Sequence, residues 1–143
     1  MAEHKTFTIE ERVRWGDVDA ARIIFYGAYI HFFEFAETEL FREAGLAYGK
    51  MFDELKIWLP RVHLECDFRR VATLDDLLEV SVYVGRFGTK SMKLNFEVRR
   101  KGEAELIATA HFVLAVVHQE TFETVPLPAE IRERLAPYNA NEE

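Results

Sequence analysis

From Lys5 to Trp15 the apolar residues Phe7, Ile9, Val13 and Trp15 fall on alternate positions, with Glu11 interrupting, so a period of two predicts a strand with one face inward. The period then changes. From about Tyr26 to Ala44, Tyr29, Phe33, Ala36, Leu40 and Ala44 recur at helical spacing, and Gly45 supplies the stop. Phe32, Phe35 and Phe41 widen the apolar stripe beyond that of a surface helix, which predicts a core helix wrapped by other elements.

The wrapping elements follow. After a short helix near Tyr48 to Leu55, Trp58, Pro60, Val62, Leu64, Cys66 and Phe68 alternate with Leu59, Arg61, His63, Glu65, Asp67 and Arg69, a long half-buried strand. Leu78, Val80, Val82 and Val84 predict the next strand, Met92, Leu94, Phe96 and Val98 another, and Leu106 through Val117 the last. Turn signals separate them at residues 73–76, 85–88 and 101–103. On the last strand both faces are largely apolar, which marks one of them as a subunit interface or a deep position in the sheet. A tail with Pro126, Pro128 and a short Ala129 to Leu135 helix reads as peripheral. The order of one strand, one long helix and four strands with turns too short for crossover helices predicts an α+β fold: one antiparallel five-stranded sheet around a central helix.

Composition narrows the class. At 143 residues the chain has the length of a single domain, residues 1–143, with one core. A hydrophobic share of 49% is too high for a disordered chain. The net charge of -7 disfavours nucleic acid and anionic lipid as partners, so an anionic ligand needs a local basic patch. Cys66 is the only cysteine, which excludes an intrachain disulfide and any multi-cysteine metal site. His63 and His111 lack metal-ligand spacing and read as structural. No apolar run approaches the roughly 20 residues that span a bilayer. The N-terminal Met-Ala-Glu-His-Lys has no signal-peptide pattern, so the expected location is cytoplasmic.

The chemistry concentrates between Trp15 and Tyr26, where an acidic turn runs into the helix. A carboxylate just before a helix start can lie beside backbone N–H groups that have no intrahelical partner, placing base or nucleophile and oxyanion donor in one small volume. Asp17 and Asp19 can also simply organise the turn. That role suits Asp17, whereas Asp19 is the candidate catalytic carboxylate.

Trp15-Gly16-Asp17-Val18-Asp19, Ile23-Ile24-Phe25-Tyr26, Tyr29, Glu34, Glu37 and Gly45 resemble the 4-hydroxybenzoyl-CoA thioesterase group of hotdog-fold enzymes. His63 to Phe68, Asp75-Asp76-Leu77 and Gly88-Thr89-Lys90-Ser91 extend the resemblance over roughly residues 7 to 118. It implies hydrolysis of an acyl-CoA thioester without metal or cofactor, by a hotdog homodimer that pairs into a tetramer. Asp19 falls at the family's catalytic aspartate, as nucleophile or as general base. Tyr26 falls at the helix start, where its backbone N–H polarises the carbonyl. Arg22 departs from the pattern, because the family commonly has glycine there; its side chain then points outward, narrows the pocket or supplies a cation.

The same resemblance casts Arg86 and Lys90, near Lys93 in a glycine-containing turn, as holders of CoA phosphates, against the alternative of a solvated hairpin face. Arg69 and Arg70 are weaker candidates. Glu34 either pairs with His31 one turn earlier or accepts a hydrogen bond from an acyl hydroxyl. Phe25, Tyr26 and Tyr29 line the acyl slot, or belong with Phe32 and Phe33 to the core. Three rivals share the fold: a thioesterase acting on acyl carrier protein, a non-catalytic acyl-binding or assembly module, and a dehydratase. The last needs a catalytic histidine near the helix start, and His31 lies too far along.

Overall fold

The computed structural model describes residues 3–143; Met1 and Ala2, which open the N-terminal stretch considered above, lie outside it. Strand β1 (Phe7–Arg12) stops short of the expected Trp15, because Val13 turns into the core and Trp15–Asp17 form a 3-10 turn that leaves Trp15 85% exposed. A second 3-10 turn, Tyr26–Ala28, leads into helix α1 (Tyr29–Glu43). Its buried stripe runs through Tyr29, Phe32, Phe33, Ala36, Glu37, Leu40 and Phe41. Gly45 takes φ +80 and lets the Leu46 N–H reach the Phe41 carbonyl, a bond that closes the helix end and favours glycine for its left-handed backbone.

Helix α2 (Tyr48–Leu55) and a short strand β2 (Ile57–Trp58) precede β3 (Arg61–Phe68). Then come β4 (Leu77–Phe87), β5 (Ser91–Arg100), β6 (Leu106–Ala115) and a short β7 (Val117–His118) that pairs with β2. The main sheet has the antiparallel order β1-β4-β5-β6-β3 and curls around α1, the hotdog arrangement. Its inner positions on β4 and β5 are the expected ones, Leu78 to Val84 and Met92 to Val98 on alternate residues. Under the helix, Phe33, Phe96 and Phe112 form a cluster with ring centroids 4.9 to 5.9 Å apart, the tilted and edge-on geometries that aromatic rings favour. No helix among the described residues is long and apolar enough to cross a membrane.

Two expectations need correction. Strand β3 is not half-buried: it lies at the sheet edge, bonded only to β6, and Val62, Leu64 and Phe68 are 62%, 43% and 53% exposed. The alternation was real, but alternation cannot tell whether a sheet face extends beyond the helix that would cover it. The tail is not peripheral either. Helix α3 (Ala129–Leu135) buries Ile131 and Leu135 completely, and Arg132 donates to the Gly88 carbonyl. Ile131→Ala is therefore expected to destabilise the fold by about 2–5 kcal/mol through lost burial and the cavity left behind. Urea denaturation measures it; a loss under about 0.5 kcal/mol, typical of surface changes, shows the tail to be dispensable.

Candidate active site

The loop between β1 and α1 folds back on itself. Val18 and Ile24 form an antiparallel bridge, the Asp19 N–H donates to the Ile23 carbonyl at 3.0 Å, and the Arg22 N–H donates to the Asp19 carbonyl at 2.9 Å. Asp19 stands exposed at the head of this turn, where its Oδ1 accepts from the Ala21 N–H at 2.8 Å. Its Oδ2 has no hydrogen-bond partner among the described residues. Asp17 organises the preceding turn, its Oδ2 accepting from the Arg14 N–H at 2.8 Å. Both aspartates thus bond locally to backbone, as short acidic side chains in turns do.

Arg22 has φ +65, a left-handed conformation that costs a residue with a Cβ roughly 1–2 kcal/mol. The special backbone for which a glycine is suited is therefore present, carried here by an exposed arginine. The surroundings hold it. Ile24 N–H donates to the Ala72 carbonyl at 2.9 Å and Leu74 N–H to the Arg22 carbonyl at 3.1 Å, tying the loop to the 72–76 turn. That turn is fastened by Asp76, which accepts from the Thr73 N–H at 2.8 Å and from Arg100 at 2.9 Å. Burial alone raises the Asp76 carboxyl, but the bonds from Arg100 and Thr73 outweigh it and hold it below the usual range.

At the helix start, the N–H groups of Tyr26 and Gly27 have no acceptor among the described residues. These two residues help line a cavity of about 260 Å³ between α1 and β3, with Tyr29, Ile30, Phe33, Leu64, Cys66 and Phe68. The Phe25 ring folds against Gly27, where a Cβ would lie 2.9 Å from the ring, so glycine permits this closure. Burial pushes the Cys66 thiol up to about 11, with Asp67 adding to it, and the Tyr29 hydroxyl to about 12. Neither is ionised at neutral pH, so Cys66 is a poor thiolate nucleophile and Tyr29 stays a neutral donor.

Tyr26 and Tyr29 thus meet at one cleft, with Phe25 at its edge; Asp19 belongs to the same loop but is not among the cleft's lining residues. Glu34 lines a second cavity, of about 420 Å³, that continues the first and shares Ile30 and Leu64 with it. The alternative pairing with His31 does not form; Glu34 is exposed on the open flank of α1. Arg86 and Lys90 are exposed at the β4–β5 turn, the opposite end of the sheet. β4 begins beside the Asp19 loop, since Arg12 pairs with Leu77, and the eleven residues of the strand set its ends roughly 30 Å apart.

The carboxylate that sequence reasoning passed over is Glu37. It is 1% exposed, accepts a 2.5 Å hydrogen bond from the Tyr48 hydroxyl, and pairs with Arg61 at the wall of the second cavity. Burial raises its carboxyl, with the Arg61 charge and both hydrogen bonds opposing. The signal was present: Glu37 stands four residues from both Phe33 and Phe41, inside the buried stripe, whereas Glu34 is off it.

The chain is 29% identical over 126 residues to the acyl-CoA thioesterase YbgC of Haemophilus influenzae, covering 88% of this chain and 91% of that one. A gentisyl-coenzyme A thioesterase of known structure is 26% identical, with a TM-score of 0.77 and coverage of 90% of this chain and 98% of that one. A 1,4-dihydroxy-2-naphthoyl-CoA thioesterase from Synechocystis has the same fold at 21% identity, with a TM-score of 0.85 over 92% of this chain and 96% of that one. A family profile matches residues 13–135, from the end of β1 through α3, and so takes in the acidic loop, the helix start and both cavities. The chain belongs to the thioesterase-like superfamily.

Proposed function

We propose that this protein hydrolyses an acyl-CoA thioester to the free acid and CoA, with Asp19 as nucleophile or general base and the Tyr26 N–H as oxyanion donor. The observation that carries this is the juncture of loop and helix. Among the described residues, a carboxylate with an oxygen free of hydrogen bonds and two N–H groups without an acceptor belong to one loop-to-helix segment, the N–H groups on residues that line an apolar cleft, in a chain of the thioesterase-like superfamily. Asp19 either attacks the carbonyl carbon, the carbon–sulfur bond breaking to release CoA thiolate and leave an acyl–aspartyl anhydride that water then hydrolyses to the free acid and the carboxylate, or it deprotonates a water that attacks directly, giving the acid and CoA thiolate. A well-aimed donor such as the Tyr26 N–H is worth about 2.7–4 kcal/mol of transition-state stabilisation. The cleft's Tyr29, Phe33 and Phe68 suit an aromatic or medium-length acyl group, and Glu34 lies farther along to accept from a hydroxyl on it.

The assembly belongs to the same proposal: one domain over residues 1–143, cytoplasmic, acting as a homodimer that pairs into a tetramer. Strand β3 offers an unpaired edge beside exposed Val62, Leu64 and Phe68, and Ile30 continues the apolar surface on α1. Antiparallel pairing of two such edges buries that surface and satisfies the backbone groups. It also turns the partner's β4–β5 turn toward the Asp19 end of this protomer, the placement that CoA-phosphate binding by Arg86 and Lys90 requires. Sedimentation at micromolar concentration is expected to show a dimer or tetramer; a stable monomer removes the shared site.

The test of the carrier is Arg86→Ala with Lys90→Ala. The double variant is expected to raise KM for acyl-CoA far more than it lowers kcat, because contacts remote from the breaking bond bind ground and transition states alike. Added salt weakens wild-type binding in the same sense. The same acyl group on pantetheine, which lacks the nucleotide, is expected to be unaffected. Equal losses on both substrates, or on neither, make the turn a solvated face and favour acyl carrier protein as the carrier.

A further inference from the structure

The sheet face turned away from α1 carries a second cluster. His63 and Glu65 lie on β3, and His111 lies on β6 directly opposite Glu65 in the strand register. Glu65 Oε1 stands 3.3 Å from His63 Nε2, and Oε2 stands 3.7 Å from His111 Nδ1. The two imidazoles stack with centroids 5.4 Å apart, and one donor atom from each residue falls within 4.8 Å of the others. A shallow recess of about 100 Å³ alongside is lined by Glu65, Asp67, Thr109 and His111. Linear spacing concealed all this, because 63 and 111 meet only through the β3–β6 register.

We propose that His63, Glu65 and His111 form a cross-strand site for a divalent transition ion of the zinc class. Two imidazoles and one carboxylate are donors that zinc accepts at about 2.0–2.2 Å, and tetrahedral geometry then sets donor atoms roughly 3.3 Å apart. The present separations, 3.3 Å and 3.7 Å from Glu65 to the two imidazoles and at most 4.8 Å among all three donors, lie close to that value, with the residues on one face of adjacent strands. The recess beside Asp67 leaves the fourth position to water or to that carboxylate. Nickel and copper suit the same nitrogen and oxygen donors, whereas magnesium and calcium, which prefer oxygen alone, do not. The site's effect is structural. Within one chain β3 is bonded on one side only, and an ion joining it to β6 fastens the strand that supplies Leu64, Cys66 and Phe68 to the cleft on the other face.

Zinc chloride titrated calorimetrically into the untagged full chain is expected to saturate at one ion per chain in the micromolar range, and to raise Tm by about 9 °C at a hundredfold excess over Kd. His63→Gln and His111→Gln are each expected to weaken binding at least tenfold; His118→Gln, outside the cluster, leaves it unchanged. Copper(II) in place of zinc is expected to show two coordinated nitrogens by electron paramagnetic resonance, and one in either cluster variant. If zinc fails to saturate below a millimolar, or if the cluster variants bind as tightly as wild type while His118→Gln does not, the site does not exist.

Discussion

Asp19→Asn is expected to lower kcat on the best acyl-CoA substrate by about 10²–10⁴-fold, the usual cost of losing a catalytic acid or base. The substitution separates chemistry from architecture. Asp19 Oδ1 accepts the Ala21 N–H at 2.8 Å, and an asparagine carbonyl oxygen accepts the same bond, so the turn that carries Arg22 at φ +65 is retained. What disappears is the charge and the second, unpartnered oxygen. Circular dichroism and Tm are therefore expected to match wild type while single-turnover hydrolysis collapses. A purified Asp19→Asn enzyme that works near the wild-type rate removes Asp19 from the chemistry. A variant that loses Tm along with activity leaves Asp19 the same local role as Asp17.

Arg61→Met is expected to destabilise the fold by about 3 kcal/mol at pH 8, the low end for breaking a buried ion pair, because water reaches the 35%-exposed Arg61 side chain. The penalty comes from Glu37, left in the core with only the Tyr48 hydroxyl as donor. Burial already raises the Glu37 carboxyl in the folded chain, and removing the Arg61 charge raises it further. A folded-state value above the unfolded one means that the native state binds more protons in between, so stability falls as pH rises through that window. The deficit of the variant is accordingly expected to be large at pH 8 and to shrink toward pH 5. Urea denaturation at the two values measures it. Adding Glu37→Gln, which removes the uncompensated charge, is expected to restore part of the loss and abolish the pH dependence. A deficit equal at both pH values places the cost in packing, with no part for the carboxylate.

The elements were legible because each is encoded by neighbours in the chain. Period-two runs at Leu78–Val84 and Met92–Val98, the helical spacing through Leu40, and Gly45 as a stop all register local geometry, and each element formed where its pattern lies. The turn that holds Asp17 and Asp19 was legible for the same reason, since its hydrogen bonds join residues a few positions apart. The burial of Glu37 was not read from the sequence, which drew attention to Glu34, because the helix lies against the sheet on one side only, leaving a flank open. A carboxylate amid apolar residues is buried or exposed according to which flank it occupies.

By itself, then, the sequence determined the α+β class, the position of the long helix and the place of Asp19 in the loop that leads to it, all set by contacts a few residues apart. Only the tertiary structure decided that β3 is an exposed edge, that α3 closes the core, and that Arg61 neutralises Glu37 across 24 residues. It also decided that His63 and Glu65 meet His111, and that Arg86 and Lys90 stand at the far end of the sheet from Asp19. Those facts depend on strand order and register, which arise from the summed burial of the whole chain and leave no mark on the spacing of the residues they bring together or hold apart.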